Sequence, residues 1–215
     1  MNLDWLAQFT LSTPLAIRAL ECLFALSAGV QTSEYLRMRS AMNAHGLWSW
    51  AIQRQDIPNP LAQKFFDRLF TENAFSALLW ARVLALISLG FYGANLVNVT
   101  FLFVSNLTVL IRWRGAFNGG SDFMTLVVLT GLLIAQWLTF FDAPELGWRA
   151  CFWYITIQSM TSYFVSGAVK LLRPEWRNGS AMTIFLNAAI HGPLQQAHLL
   201  RKPWLATLGS WTFIL

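Results

Sequence analysis

One long apolar run constrains the fold of this chain more than any other feature. It extends over the 38 residues from 74 to 111 and contains one charged side chain, Arg82. As a single helix it would measure about 57 Å, whereas the hydrocarbon core of a bilayer is only about 30 Å thick. Residues that interrupt helices cluster near its middle, namely Gly90, Gly93, Asn95 and Asn98. The sequence therefore predicts two spans that fold back on each other.

The composition of the whole chain also indicates a membrane protein. Hydrophobic residues make up 56% of it and charged residues 12%, and its mean hydropathy is +0.48. A soluble domain carries about twice that charge. The eleven Trp and seventeen Phe suit both a membrane core and its interfaces. We expect an all-α fold, a multi-pass transmembrane helical bundle that contacts membrane lipid. The net charge of +5 comes from basic residues scattered in short loops, which argues against nucleic-acid binding.

The first apolar stretch, residues 14–30, is predicted to be a retained membrane helix. No Lys or Arg precedes Arg18, and charges interrupt the apolar core, so the stretch does not resemble a cleaved signal peptide. Arg18 and Glu21 are three residues apart and share one helical face. Because a lone charge at that depth is costly, we expect an ion pair between them or contacts to neighbouring helices.

Residues 31–73 form the most polar part of the chain and are predicted to contain an amphipathic helix on the membrane surface. Its apolar residues recur at helical spacing, namely Leu61, Phe65, Phe66, Leu69 and Phe70. Lys64, Asp67 and Arg68 are predicted to take the opposite face. Pro58 and Pro60 mark the start of this helix, and Trp48 and Trp50 precede it as interfacial anchors.

The C-terminal half is predicted to contain two further spans and a less regular end. A glycine-rich loop leads to Ser121 and Asp122, which are expected to cap a helix over residues 123–141. A span over 148–169 follows. Residues 179–200 contain polar residues and a proline, which favour a half-buried or re-entrant segment. Residues 204–215 reach only about 18 Å, so the single predicted domain, residues 1–215, is expected to be incomplete at its C-terminal end.

The distribution of basic residues predicts the orientation. If the N-terminus lies outside, the segments 31–73, 112–122 and 170–177 fall inside and hold ten of the fifteen basic residues. That is the pattern of the positive-inside rule. We expect an integral protein of the bacterial cytoplasmic membrane.

One lysine, Lys170, follows an apolar run in the segment of residues 163–182, YFVSGAVKLLRPEWRNGSAM. An amine at the end of a membrane helix can reach water and act as an anchor. An amine turned into a helical bundle loses its hydration, and it is then available as a base. The residues alone leave both interpretations open.

This segment resembles the one that characterises HTTM-domain proteins, the membrane family that includes vitamin K-dependent gamma-carboxylase. The shared order is a Tyr-Phe, a Gly, a Lys and then a Trp-x-x-Gly, which here are Tyr163, Phe164, Gly167, Lys170, Trp176 and Gly179. Arg18 in the first helix, Arg82 in the second and a Gly-rich turn with Asp122 look like the same family.

The resemblance implies a membrane enzyme in which Lys170 deprotonates a reduced quinone similar to vitamin K. The pocket would be lined by Tyr163, Gly167, Trp176, Arg18 and Arg82. Tyr163 and Gly167 share the helical face of Lys170, and the glycine leaves room for a flat ligand. The carboxylase also has a large soluble portion for its protein substrate, which this chain lacks, so we do not expect a full glutamate carboxylase.

Two other functional classes remain open. Some small members of the family resemble non-enzymatic membrane components that accompany the production of, or immunity to, a secreted peptide. Transport is a third interpretation, because Arg18, Glu21 and Arg82 could line a pathway, although the hydropathy pattern has no inverted repeat. We expect no metal site: Cys22 and Cys151 lie in apolar stretches, and His45, His191 and His198 lack the spacing of ligands.

Overall fold

A computed structural model describes residues 13–42, 46, 48–113, 119–186 and 203–214. Every regular element within these residues is helical, which confirms the all-α prediction for this part of the chain. The α-helices are α1 (Thr13–Arg37), α2 (Trp50–Gln53), α3 (Pro60–Leu69), α4 (Glu72–Tyr92), α5 (Leu96–Arg112), α6 (Gly119–Phe140), α7 (Pro144–Leu172), α8 (Pro174–Arg177), α9 (Ser180–Leu186) and α10 (Pro203–Ile214). Short 3-10 helices follow α1 and α2, at Met38–Met42 and Arg54–Asp56. The chain divides into two compact units, residues 1–155 and 156–215, and the division falls within α7.

Three helical segments are long and apolar enough to cross a membrane: Thr13–Met42, Glu72–Tyr92 and Asp122–Phe140. Three of the five predicted spans are thus confirmed as helices that are long and apolar enough to cross a membrane. The first helix continues well beyond the predicted end at residue 30. Helix α5 is apolar but shorter. Helix α7 contains the predicted span 148–169, yet it is not among the three, because Gln, Ser, Thr and Tyr side chains interrupt its apolar residues.

The core of the first unit lies between α1, α4, α5 and α6. Helix α1 packs against α4 and α6, and α5 packs against α4 and α6. The buried residues of α1 recur every three or four positions and so form one face: Glu21, Phe24, Ala28, Thr32 and Tyr35. Apolar residues of the four helices meet in a cluster of Phe24, Ala28, Leu86, Leu89, Val99, Leu102, Leu129 and Leu132.

The apolar run breaks at Gly93, as predicted. Helix α4 ends at Tyr92, and Gly93 adopts φ 87° and ψ 178°, a conformation that is open almost only to glycine. The side chain of Asn95 then accepts a 3.0 Å hydrogen bond from the Asn98 N–H and caps α5. Gly90, which was also predicted to contribute to the break, stays within α4.

The surface helix α3 begins at Pro60, as the sequence predicts. The Asn59 side chain caps it by accepting hydrogen bonds from the N–H groups of Leu61 and Ala62, at 2.9 and 3.3 Å. Its inner side contributes to a second core cluster around Trp50 and the start of α4. His45 lies outside the described residues.

The start of α6 differs from the prediction. The helix begins at Gly119, so Asp122 lies in its first turn rather than ahead of it as a cap. The carboxylate of Asp122 instead accepts hydrogen bonds from Gln31 and Tyr35 of α1. A tertiary contact has replaced the local capping role.

In the second unit, α8, α9 and α10 pack against one another. Gly179 has φ 83°, and a Cβ atom there would lie 2.6 Å from the backbone nitrogen of Thr207. This close approach explains why a glycine follows Trp176 at that spacing. Of the predicted re-entrant segment 179–200, the structure describes Gly179 and the short helix α9; residues 187–202 lie outside the described part of the chain.

Candidate functional site

A fully buried arginine lies at the centre of the first unit. Arg82 is 0% exposed, and its guanidinium donates hydrogen bonds to three side chains from two other helices. The acceptors are Thr32 Oγ1 at 3.1 Å, Ser105 Oγ at 3.3 Å and Asn106 Oδ1 at 2.8 Å. Arg82 therefore joins α4 to α1 and α5. All three acceptors are neutral.

The polar contacts continue to α6 through Asp122, which is 6% exposed. Its Oδ1 atom accepts a hydrogen bond from the Tyr35 hydroxyl at 3.3 Å and another from Gln31 Nε2. The Tyr35 ring stacks on Trp113, with centroids 5.4 Å apart. We call Gln31, Tyr35 and Asp122 the polar triad. Gln31 and Tyr35 of α1 both donate to the same carboxylate oxygen of Asp122, so the triad joins α1 to α6.

A groove of about 720 Å³ opens between α1 and α6 beside the polar triad. Its walls are mostly apolar and come from Leu20, Leu23, Phe24, Val30, Met38, Met124 and Val128. Gln31, Tyr35 and Asp122 line one region of it, together with Glu34 and Thr125. Its size lies within the range of about 300–1,000 Å³ that is typical of small-molecule sites. An apolar groove with a few convergent polar groups is the usual form of such a site.

The Gln31 amide contains an unsatisfied hydrogen-bond acceptor. Its Oε1 atom is buried and has no hydrogen-bond partner within the described part of the chain. A buried acceptor without a donor carries a desolvation penalty. Because the atom is buried, a molecule in the groove could donate to it only after the Gln31 side chain moves.

Arg18 and Glu21 form the ion pair that the sequence predicts. Glu21 is 3% exposed, and its Oε1 atom also accepts a 2.7 Å hydrogen bond from the Ala94 N–H. Arg18 donates a 2.7 Å hydrogen bond to the Gly90 carbonyl oxygen. These contacts hold α1 against the turn between α4 and α5, which is a structural role.

Arg112 has a comparable structural role at the end of α5. It is 1% exposed and donates to the carbonyl oxygens of Trp48 and Met42, at 2.7 and 3.0 Å, and to Gln53 Oε1 at 2.7 Å. The guanidinium therefore fastens the segment between α1 and α3 to the helical core.

Lys170 belongs to the second unit, on the last turn of α7. Its Nζ atom lies 5.1 Å from the centroid of the Trp176 ring, a cation–π contact that unites two of the predicted site residues. Lys170 is half-buried, Tyr163 is 74% exposed and Gly167 is half-buried. The two predicted lining residues Arg18 and Arg82 lie in the first unit, in separate sets of contacts.

Sequence reasoning missed the groove and the part that Gln31 and Tyr35 play in it. Asp122 was noted only as a cap and as a feature of the glycine-rich turn. One signal was available, because Gln31 and Tyr35 are four residues apart and continue the face of α1 that Glu21 and Phe24 occupy. Nothing in the sequence connects that face to Asp122, which lies 91 residues beyond Gln31.

Metal ligands do not cluster in the described residues: no group of three or more His, Cys, Asp or Glu side chains there could hold an ion. Cys22 and Cys151 are free thiols. His191 and His198 lie outside the described residues. Comparison with protein-family models, with curated proteins and with solved structures finds no match for this chain.

Proposed function

We propose that this protein is a multi-pass integral membrane protein that binds a lipid-soluble reduced quinone in the groove between α1 and α6. The observation that carries the proposal is the polar triad beside a groove of about 720 Å³ with apolar walls. Because the walls come from helices apolar enough to cross a membrane, a ligand dissolved in the bilayer would reach the groove without entering water.

The hydrogen-bonding groups favour the reduced form of such a ligand. Asp122 lines the groove and offers carboxylate oxygens, which accept hydrogen bonds. The oxygens of an oxidised quinone are also acceptors and cannot donate to this carboxylate. A quinol carries two hydroxyl donors and therefore fits. When bound, it would supply two electrons and two protons.

The residues of the groove have distinct roles in this proposal. Asp122 would orient the ligand by accepting a hydrogen bond from one hydroxyl, and Tyr35 and Gln31 would hold the carboxylate in place. Leu23 and Val128 would contact the apolar rings and exclude water. Arg82 lies behind the triad and holds α1, α4 and α5 in register.

Binding of a reduced naphthoquinone to the purified protein under anaerobic conditions tests the proposal. Asp122→Asn should weaken binding at least about tenfold, the value of a hydrogen bond to a charged acceptor. Leu23→Trp should abolish binding by filling the groove, without touching the polar triad. Ile87→Trp is the matched control, because it places the same ring in the separate groove between α1 and α4. Wild-type affinity in Leu23→Trp would refute the groove as the site.

We further propose, on the resemblance to HTTM proteins, that Lys170 is the base in a quinone-linked redox or carboxylation reaction. The contact with Trp176 fixes the position of the amine beside Gly167 on the same helix. Because a cation–π contact favours the ammonium form, the support for a role as base is the resemblance alone. In this reaction the amine would accept a proton from the quinol, and an added oxidant such as dioxygen would accept its two electrons. Lys170→Ala should abolish consumption of the reduced naphthoquinone when dioxygen is supplied. Unchanged consumption in that variant would refute the enzymatic role even if the groove binds the ligand.

The same contact supports a second candidate, a non-enzymatic membrane component of a secreted-peptide system. A lysine stacked on a tryptophan at a helix end is the arrangement of an interfacial anchor. In that case Lys170→Ala would weaken membrane insertion and have no catalytic effect. A peptide-precursor gene beside this one would favour this candidate.

For the orientation, we propose that the N-terminus lies outside a bacterial cytoplasmic membrane. The segment between α1 and α4 holds Arg39, Arg54, Lys64 and Arg68, whereas the turn between α4 and α5 holds no basic residue. This charge difference is the support for placing the first segment inside. Cysteine labelling from each side of the membrane, at position 39 and at position 95, tests it.

A further inference from the structure

The outer face of the surface helix α3 mixes apolar and cationic side chains. Leu61, Lys64, Phe65 and Arg68 are all exposed, and their spacing of three, four and seven residues places them on one face. Leu61 is 75% exposed and Phe65 is 62% exposed. Two large apolar side chains thus flank two basic ones on a surface that the described protein residues do not cover.

The sequence pattern predicts a single apolar face for α3, but in the structure its apolar residues have two different environments. Phe66 and Leu69 pack against the second core cluster, and Phe66 stacks on the Phe70 ring at 5.0 Å. Only Leu61 and Phe65 point away from the core. Burial in the protein core therefore does not explain why these two positions are apolar.

The acidic residue of α3 does not neutralise this face. The carboxylate of Asp67 is bound by Arg54, at 2.8 and 3.1 Å, and by Trp50 Nε1 at 2.8 Å. Lys64 and Arg68 form no ion pair with any residue that the structure describes. The outer face of α3 is consequently cationic.

Space for a headgroup adjoins these side chains. A depression of about 580 Å³ at the junction of α3 and α4 is lined by Lys64, Phe65, Arg68, Leu69 and Ala74. Its two basic groups lie next to apolar walls. This combination matches a phosphate ester whose acyl chains continue into a bilayer.

We infer that the outer face of α3 binds the headgroup of an anionic phospholipid. Lys64 and Arg68 pair with the phosphate, and Leu61 and Phe65 insert between the acyl chains. Interfacial helices combine apolar insertion with attraction to anionic lipid in this way. The site lies apart from the groove between α1 and α6, so this inference does not depend on the proposed quinol.

Native mass spectrometry of the full chain in neutral detergent tests the inference, with phosphatidylglycerol and phosphatidylcholine of identical acyl chains as probes. Phosphatidylglycerol should bind more tightly. Each basic residue near a lipid surface contributes about a factor of five, so Lys64→Gln and Arg68→Gln together should weaken phosphatidylglycerol binding roughly 30-fold. Lys64→Arg should bind as the wild type does. Arg149→Gln is the matched control, because it removes an exposed charge elsewhere on the chain.

Further variants separate a lipid from a free phosphate. Leu61→Ser with Phe65→Ser should weaken phosphatidylglycerol binding several-fold if acyl chains contact the face. Inorganic phosphate at millimolar concentration should not displace the lipid. Equal retention of both lipids, an unchanged affinity in the double glutamine variant that melts as the wild type does, or displacement by phosphate would each overturn the inference.

Discussion

The guanidinium of Arg82 donates a 2.8 Å hydrogen bond to the amide oxygen of Asn106, and both side chains are buried. This contact joins α4 to α5 across the break that allows the two helices to pack. Since the other two acceptors of Arg82 are hydroxyls, Asn106 supplies the only amide acceptor for this charge among the described residues. The stability of the first unit should therefore depend on the hydrogen bond between Arg82 and Asn106.

Asn106→Ala should lower the free energy of unfolding by roughly 2–3 kcal/mol, because it removes a hydrogen bond to a buried charge. Thr108→Ala is a control on the same helix. Among the described residues, the Thr108 hydroxyl bonds only to the Val104 carbonyl oxygen of its own helix, at 2.9 Å, so its loss should cost less than about 1 kcal/mol. Thermal unfolding in detergent compares the two, and equal losses would contradict the role of Asn106.

Gly93→Ala should destabilise the protein by about 1–3 kcal/mol, because the backbone at this position is open almost only to glycine. A Cβ atom there would also lie 3.0 Å from Nη1 of Arg18. Gly29→Ala is the control, since a Cβ atom at Gly29 meets nothing within 4 Å and the position is helical. It should raise stability by a few tenths of a kcal/mol up to about 1. A stabilising Gly93→Ala would refute the fold-back geometry.

Removing one charge of the Arg18–Glu21 pair should lower the free energy of unfolding more than removing both charges. Arg18→Met leaves the buried Glu21 carboxylate without its cation and should cost about 3 kcal/mol. Adding Glu21→Gln removes that charge and should restore part of the stability, since the amide oxygen can still accept from the Ala94 N–H. A double-mutant cycle by chemical unfolding measures the difference. Strictly additive losses would show that the pair is not coupled.

The contact between Asp67 and Arg54 should make stability depend on acid pH. The hydrogen bond from Arg54, followed by that from Trp50, holds the pKa of the Asp67 carboxyl below its ordinary value of 3.8. A lowered pKa stabilises the folded state above the ordinary value, and this contribution is lost as the pH falls through the lower folded value. Melting temperatures of the wild type and Asp67→Asn should therefore differ at pH 7, begin to converge as the pH falls below 3.8, and meet only below the lowered folded pKa. Asp56→Asn is the exposed control, and a difference that persists in acid would contradict the assignment.

Local signals in the sequence predicted much of the fold. Gly93 and Asn95 marked the break because a left-handed backbone and a helix cap each have a residue preference that is independent of distant contacts. The pairing of Arg18 with Glu21 was predictable for the same reason, since both residues lie within one helical turn.

The groove could not be predicted in this way. Gln31 and Asp122 meet only because α1 packs against α6, and the sequence does not encode that pairing as a local pattern. The predicted start of α6 was wrong because Asp122 has the residue type of a helix cap. Its actual partners, Gln31 and Tyr35, lie on a distant part of the chain. For the segment 163–182, the spacing of Trp176 and Gly179 has a structural explanation, whereas the proposed chemistry of Lys170 stays a prediction.

The location of a bound quinol tests the central claim most directly. An azide-bearing naphthoquinol can be photolysed on the purified protein, and the labelled peptides identified by mass spectrometry. Binding in the groove predicts label on α1 near Leu23 and on α6 between Met124 and Val128, with less label in Leu23→Trp. Label that is absent from both α1 and α6, or label that Leu23→Trp leaves unchanged, would contradict binding in the groove.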